Sequence, residues 1–158
     1  MSMKLHCFGE SGNAYKAALT LTLAGEAWAP VFVDFFKGAT RSPEFKALSV
    51  MGEVPVLEDG DTVLTQSGVI QDYVSSKTGK LGGKSAAERR EVLRWMFFDN
   101  HKVSGVAGPL RFNMNFLPEE KRNADVNAFM AMRLASAPKV LEAQLEGQIG
   151  RASCRERV

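Results

Sequence analysis

The chain has 158 residues, enough for one ordinary domain or two small ones, and a formal net charge of +2. Its hydrophobic fraction of 45% and charged fraction of 24% are typical of globular proteins, which excludes disorder as its main state. No apolar run reaches the roughly 18–20 residues of a membrane-spanning helix, and the start of the chain lacks the pattern of an export signal. We therefore expect a soluble, cytoplasmic protein without a membrane partner.

The first part of the chain predicts an α/β arrangement. Met3–Phe8 is typical of a strand, and small apolar residues between Ala14 and Ala24 recur at the spacing of one helix face until Gly25 ends the helix. Trp28–Asp34 is rich in β-branched and aromatic residues and predicts a second strand. Two strands joined through a helix by short connections predict a parallel crossover.

A short helix and a hairpin follow. Pro43 suits the first position of a helix. Beyond it, Val54–Glu58 and Thr62–Thr65 read as two strands that flank Asp59-Gly60, a dipeptide typical of tight two-residue turns. These segments complete the predicted sheet.

The second part of the chain predicts helices only. Ser67 is placed to cap a third helix, and the Gly-rich stretch Thr78–Lys84 after it is the best domain boundary. Ser85–Phe116 has a helical pattern, and a further helix carries Pro138, which should kink or split it. We expect an α/β domain over residues 1–80 and an all-α domain over residues 84–148.

The last ten residues, Ile149–Val158, differ from the rest of the chain. They carry three arginines and one acid, and without them the chain has as many acidic as basic side chains. A neutral body gives no electrostatic reason to expect a nucleic-acid partner. The segment resembles a translated sequencing adaptor, and we interpret residues 149–158 as non-native, with the natural chain continuing past Gln148. A solvated basic tail is the alternative.

Several chemistries lack their residues. Cys7 is the only cysteine outside that tail, so we expect neither an internal disulfide nor dithiol exchange. His6 and His101 do not join carboxylates at metal-ligand spacing, so we expect no metal. The chain also lacks a phosphate-binding loop and the GxSxG motif of serine hydrolases.

Four sequence segments resemble a known family. SGNAYK, RSPEF, GEVPVLEDG and TQSGVIQDY stand in the order and at the separations of the thioredoxin-like half of cytosolic glutathione transferases, and RWMFFDNHK resembles the first helix of their all-α domain. The resemblance covers Met3–Leu145. It implies an α/β thioredoxin-like N-terminal domain followed by an all-α domain, here an incomplete helical bundle. It also implies glutathione as co-substrate and a homodimer.

The resemblance makes Ser11 the catalytic candidate. A free thiol of the cysteine type has a pKa of about 8.5 and is a poor nucleophile while protonated. A serine hydroxyl at a helix N-terminus donates a hydrogen bond to the glutathione sulfur, and the exposed N–H groups of the helix favour the thiolate. Asn13 would hold the geometry of the site or replace Ser11 as donor. The alternative is that Ser11 is only a helix cap.

Two further segments would bind the glutathione backbone. The resemblance implies that Pro55 is cis and that the N–H and C=O of Val54 pair with the cysteinyl backbone, as an added strand would. Without the resemblance, a trans proline at the edge of a strand is the ordinary expectation. Gln66 and Ser67 begin the third helix, where free N–H groups and the Ser67 hydroxyl suit the γ-glutamyl carboxylate.

Two residues depart from the family pattern. Gln66 stands where most members carry an acid that meets the γ-glutamyl ammonium, so one charge-assisted contact is weakened. Glu53 stands where the family frequently has a lysine for the glycyl carboxylate, which Glu53 would repel. Thr40 and Arg41 remain as candidates for that carboxylate, and Arg41 is the better because it can bind in bidentate fashion. Alternatively, Arg41 is a solvated loop residue.

The predicted function is conjugation of the glutathione thiolate to an apolar electrophile in a pocket between the two domains. The alternatives are a transferase-like binding or scaffold protein without catalysis, and a glutathione-dependent peroxidase, isomerase or dehalogenase of the same fold. We also expect the helices of the all-α domain to expose apolar surface. The candidate pocket residues, for which core packing is the alternative, are Trp95, Phe98, His101, Phe112 and Met114.

Overall fold

The computed structural model describes residues Ser2–Glu146. The segment interpreted as non-native, residues 149–158, lies outside the described residues. The chain divides into two compact units, Met1–Met96 and Phe97–Val158. Across the described part of the chain, none of the helices has the length and apolar character needed to cross a membrane.

The first unit contains a four-stranded mixed sheet in the order β2-β1-β3-β4. β1 pairs with β2 in parallel, which confirms the predicted crossover, and the pairs β1–β3 and β3–β4 are antiparallel. The two-residue connection of the hairpin is Gly60-Asp61, one position later than predicted, because Asp59 still pairs with Thr62. The strands are β1 (Met3–Cys7), β2 (Trp28–Phe32), β3 (Val56–Asp59) and β4 (Thr62–Thr65).

Three helices accompany this sheet: α1 (Gly12–Ala24), α2 (Pro43–Leu48) and α3 (Ser67–Thr78). Gly25 ends α1 in the left-handed region with φ 77°, as predicted. Ser42 caps α2 by accepting a hydrogen bond from the Phe45 N–H, and Pro43 occupies its first turn. The prediction that Ser67 caps α3 is wrong: Ser67 is the first helical residue, and the cap position belongs to Gln66.

The core of the first unit lies between the sheet and the pair α1–α3. Its central side chains come from β1, α1, β3 and α3, and all are fully buried because the strand alternation and the helix spacing point them to the same layer. A smaller cluster of Val33, Phe45 and Val56 packs beside α2. The fully buried side chains of the main cluster include Leu5, Leu21, Leu57, Ile70 and Val74.

The helix α4 (Ala86–Phe98) begins with a reciprocal cap. The Ser85 hydroxyl accepts from the Glu88 N–H at 3.1 Å, and the Glu88 carboxylate accepts from the Ser85 N–H at 3.1 Å. The division between the compact units falls later, between Met96 and Phe97. The boundary at residues 80–84 stays a prediction.

The second unit is helical over its described residues. A π-helix over Asp99–Ser104 leads into α5 (Gly105–Asn115), and α6 (Ala124–Leu145) follows a short 3-10 turn. Pro138 lies inside a continuous α6, so the expected splitting of that helix does not occur. In the described part of the second unit, Val106 and Ala137 are the only buried hydrophobic residues. The prediction of exposed apolar surface is confirmed by Phe97, Phe112, Met114, Phe116, Val126, Phe129, Met132, Val140 and Leu145.

Candidate functional site

The strand register brings the three predicted segments to one edge of the sheet. His6 near the end of β1 pairs with Val56 at the start of β3, and Val56 also pairs with Thr65 at the end of β4. The chain therefore leaves β1 toward Ser11, enters β3 from Pro55 and leaves β4 toward Gln66, all at the same edge. Segments far apart in the sequence become neighbours through hydrogen-bond pairing alone.

Ser11 occupies the cap position of α1. Its Oγ accepts a hydrogen bond from the Ala14 N–H at 3.2 Å, and its own N–H donates to the Phe8 carbonyl at 3.1 Å. The capping role is therefore real. It uses the hydroxyl as an acceptor and leaves the O–H hydrogen to be donated to another group. The side chain is half-buried, so a ligand can reach it.

Asn13 and Cys7 lie two and four residues from Ser11 along the chain. Asn13 is exposed on the first turn of α1. Cys7, at the end of β1, is half-buried and packs against the main core cluster. Burial raises the pKa of the Cys7 thiol, so at neutral pH Cys7 is a protonated packing residue rather than a nucleophile.

The segment before β3 is held firmly in place. The Val54-Pro55 peptide bond is cis, as the resemblance implies. Pairing of β1 with β3 extends from Val56 onward, so the N–H and C=O of Val54 lie outside that ladder. Ser49, which is buried, accepts from the Glu53 N–H at 3.4 Å and donates to the Glu53 carbonyl at 3.2 Å. This clamp fixes the backbone immediately before Val54.

The turn that carries Arg41 lies against the same segment. A Cβ built at Gly52, whose φ is +63°, would lie 2.9 Å from the Thr40 carbonyl oxygen, so only glycine permits this approach. Thr40 is buried, whereas Arg41 is exposed. The role of Arg41 toward the glycyl carboxylate stays a prediction.

Gln66 and Ser67 mark the start of α3 in different ways. Gln66 has the left-handed φ of 68°, uncommon for a residue other than glycine, and its side chain is exposed. Ser67 is 7% exposed at the first helical position. The Gln66 carboxamide nitrogen donates to Glu53 Oε2 at 3.2 Å, so the two departures from the family pattern contact each other. This pairing is not predictable from the sequence pattern.

An aromatic cluster at this edge was missed by the sequence reasoning. Phe8 follows β1, and Phe35 and Phe36 follow β2, whose parallel pairing with β1 brings both exits together. The Phe8 and Phe35 rings stack with centroids 4.7 Å apart, and Phe36 meets both rings edge-on. Phe36 is 55% exposed. The available signal was the pair of phenylalanines immediately after the second strand.

The five residues predicted to line an electrophile pocket fall in both compact units. Trp95 belongs to the first unit and lies under the Arg94 guanidinium, 5.1 Å from the ring centroid. His101 is exposed in the π-helix, and Phe112 and Met114 are exposed on α5. Phe98 is half-buried at the end of α4. Their joint role in one pocket stays a prediction.

The first unit also holds a cavity of about 360 Å³ away from these segments. It lies along the later turns of α3, next to the Gly-rich stretch and α4, and contains none of the predicted site residues. Its walls are formed by Thr20, Gln71, Asp72, Ser75, Ser76, Leu81, Gly82, Gly83, Arg89, Val92, Leu93 and Met96. In the described residues, no group of three or more His, Cys, Asp or Glu side chains is arranged to hold a metal ion.

The sheet order, the cis proline before β3 and the helical second unit define a thioredoxin-like domain followed by a helical part. A family profile described as glutathione S-transferase, N-terminal domain, matches residues 1–76. Glutathione S-transferase F10 of Arabidopsis thaliana is 32% identical over 139 residues, which cover 84% of this chain and 65% of that protein. Glutathione S-transferase 3 of Zea mays is 34% identical over 121 residues, 73% of this chain and 54% of that protein.

Solved structures agree with these sequence matches. A glutathione S-transferase from Xanthobacter autotrophicus is 30% identical, has a TM-score of 0.82, and is matched over 92% of this chain and 71% of its own. A theta-class enzyme from Xanthomonas axonopodis with glutathione bound has a TM-score of 0.84 at 27% identity, over 92% and 70% of the two chains. The chain belongs to the glutathione S-transferase family. It spans 65% and 54% of the two curated plant relatives.

Proposed function

We propose that this protein is a glutathione transferase that adds the thiolate of glutathione to an apolar electrophile. The observation that carries the proposal is the register His6–Val56–Thr65, which gathers the Ser11, Val54 and Ser67 segments at one edge of the sheet. Relatives with bound glutathione share the fold. A cytoplasmic homodimer without a metal is the assembly that we propose.

Each end of glutathione has a partner of matching chemistry. The Val54 N–H and C=O bind the cysteinyl backbone, and the first N–H groups of α3 with the Ser67 hydroxyl bind the γ-glutamyl carboxylate. Arg41, exposed beside the Gly52 backbone, binds the glycyl carboxylate. This orientation points the cysteinyl sulfur toward the start of α1.

Ser11 acts on the sulfur as a hydrogen-bond donor. A serine hydroxyl is too weak a base to take the thiol proton, so the proton leaves to water while the O–H and the N–H groups of α1 stabilise the thiolate that remains. With an aryl chloride, the thiolate attacks the carbon that bears chlorine. A carbon–sulfur bond forms, the carbon–chlorine bond breaks, and chloride departs with the bonding electrons.

The aromatic cluster of Phe8, Phe35 and Phe36 supports an apolar second substrate. At the edge of the sheet where Ser11 lies, Phe36 is exposed and packs on the half-buried rings of Phe8 and Phe35. Burial of apolar substrate surface against such rings is favourable by about 25 cal/mol per Å². The electrophile would thus be held by packing, without a specific polar partner.

A Ser11→Ala variant tests the mechanism. We expect conjugation of an aryl chloride to fall about 100-fold in kcat/KM, a size typical of losing one stabilising donor, while retention on immobilised glutathione persists. The matched control is Asn123→Ala, which removes an equivalent cap from α6, where Asn123 accepts from the Val126 N–H at 3.1 Å. Equal turnover of Ser11→Ala and the unmodified chain would contradict the proposal.

A non-catalytic binding protein is the second candidate. It is favoured by the similarity to a probable elongation factor 1-gamma 2 of Arabidopsis thaliana, 32% identical over 106 residues that cover 65% of this chain and 25% of that protein. Failure of the unmodified chain to bind immobilised glutathione would favour this candidate over the transferase.

A further inference from the structure

The pairing of Glu53 with Gln66 suggests a role for both residues in selecting the ligand. Resting on the function proposed above, we propose that Glu53 is a specificity-determining residue. Held in place by the Gln66 carboxamide, its carboxylate accepts the hydrogen bonds of the free ammonium group of the bound thiol tripeptide. Glu53 therefore favours ligands that keep this amino group, and it does not act mainly by repelling the glycyl carboxylate.

The orientation of the Gln66 carboxamide is set by its neighbours. Its nitrogen donates to Glu53 Oε2 at 3.2 Å and to Met51 Sδ at 3.2 Å. Both contacts use the nitrogen, so the carboxamide acts as a donor toward Glu53. Gln66 therefore holds the full negative charge of Glu53 beside the start of α3, where it attracts an ammonium ion.

The position of Glu53 is also fixed by the backbone. The Ser49 clamp holds the Glu53 N–H and C=O, so this residue's main chain is anchored while its side chain reaches across to Gln66. The Glu53 charge therefore lies beside the start of α3, the place proposed for the γ-glutamyl group. Arg41 serves the other end of the peptide from the turn against Gly52.

The charges of the two ends of the ligand then match the protein. The γ-glutamyl end carries an α-carboxylate for the helix N–H groups and an ammonium for Glu53, while the glycyl end carries only a carboxylate. Position 66 carries the neutral Gln66, and Glu53 supplies the carboxylate instead. The pair forms across the hairpin register, which places residues 53 and 66 on the segments flanking β3 and β4.

Calorimetric titration with two ligands tests this inference. The ligands are glutathione and N-acetylglutathione, which lacks the ammonium charge, and the proteins are the unmodified chain, Glu53→Gln and Asp61→Asn. Glu53→Gln keeps the size and the hydrogen-bonding capacity of the side chain. Asp61→Asn removes the same charge from the hairpin turn. We expect the unmodified chain and Asp61→Asn to prefer glutathione by about fivefold, the range of an exposed ion pair, and Glu53→Gln to bind both ligands equally.

The outcomes separate this inference from the function on which it rests. A preference for glutathione that persists in Glu53→Gln overturns the inference alone, since the tripeptide still binds. Equal tightening of both ligands in Glu53→Gln overturns it too, because Glu53 would then act by repulsion. If the unmodified chain binds neither ligand, the proposed function fails together with the inference.

Discussion

The two compact units differ sharply in how they bury their apolar side chains. In the first unit Leu5, Leu21 and Leu57 are completely buried under the two helices that flank the sheet. In the described part of the second unit, Val106 and Ala137 are the only buried hydrophobic residues, while Phe129 and Met132 are 55% and 65% exposed. Since apolar burial is the main favourable contribution to folding, the first unit carries most of the stability of this chain.

The two units also differ in which proposed functional residues they carry. Every residue proposed to contact glutathione belongs to the first unit, where strand pairing and packing fix its position. Most of the residues expected to shape the electrophile pocket belong to the second unit, where His101, Phe112 and Met114 are exposed and Phe98 is half-buried. The proposed glutathione site therefore rests on strand pairing and packing, whereas the electrophile pocket stays a prediction.

Truncation of one apolar side chain in each unit tests the comparison most strongly. Leu57→Ala should lower the free energy of unfolding by about 3 kcal/mol, because it leaves a cavity in a fully packed core. Met132→Ala should change it by less than about 0.5 kcal/mol. Chemical denaturation measures both. A similar loss for the two variants would show that the second unit is as well packed as the first.

Two glycines with similar positive φ values test the close backbone approach beside Arg41. Gly52 and Gly60 have φ of +63° and +59°, but only the Gly52 Cβ would meet a backbone atom, the Thr40 oxygen. Gly60→Ala should cost about 1 kcal/mol for the positive φ alone. Gly52→Ala should cost about 2 kcal/mol, because crowding adds to it, and should weaken glutathione binding by moving Arg41. Equal thermal stability of the two variants would disprove the close approach.

The contact between the hairpin and α3 predicts a smaller, pH-dependent effect. Hydrogen bonds from Lys77 and from the Tyr73 hydroxyl lower the pKa of Asp59 below its usual range. A carboxyl with a lower pKa in the folded state stabilises the fold above its unfolded pKa and loses that contribution as the pH falls through the folded value. Asp59→Asn should therefore destabilise by about 1 kcal/mol at pH 7.

The same variant gives an internal check across pH. At a pH below the lowered pKa of folded Asp59, the carboxyl is protonated in both states, so Asp59→Asn and the unmodified chain should unfold at similar temperatures. Asp61→Asn removes a carboxylate from the same hairpin and serves as the control. A deficit of Asp59→Asn that is constant from pH 3 to 7 would show that the ionised carboxylate contributes nothing.

Much of the first unit was predictable because its signals are local. The helix stop at Gly25, the strand Thr62–Thr65 and the cap at Ser11 follow from spacing and residue type within a few positions. The cis Val54-Pro55 bond followed from the family resemblance. The position of Ser67 as the first helical residue was not predicted. Gln66, whose φ is 68°, takes the cap position one residue earlier.

Features that depend on pairing between distant segments escaped the sequence. The Glu53–Gln66 contact joins residues on two segments that only the hairpin register brings together. The stacking of Phe8 on Phe35 likewise needs the parallel pairing of β1 with β2. Both features lie at the proposed site, where the edge of the sheet collects residues from several parts of the chain.

The central claim is that the start of α1 makes the glutathione thiol more acidic. Titration of the ultraviolet absorbance of the thiolate in the bound complex measures this pKa directly. We predict a value at least about one unit below that of free glutathione, a return toward the free value in Ser11→Ala, and no change in Asn123→Ala. A bound thiol that titrates like free glutathione in the unmodified chain would contradict the account.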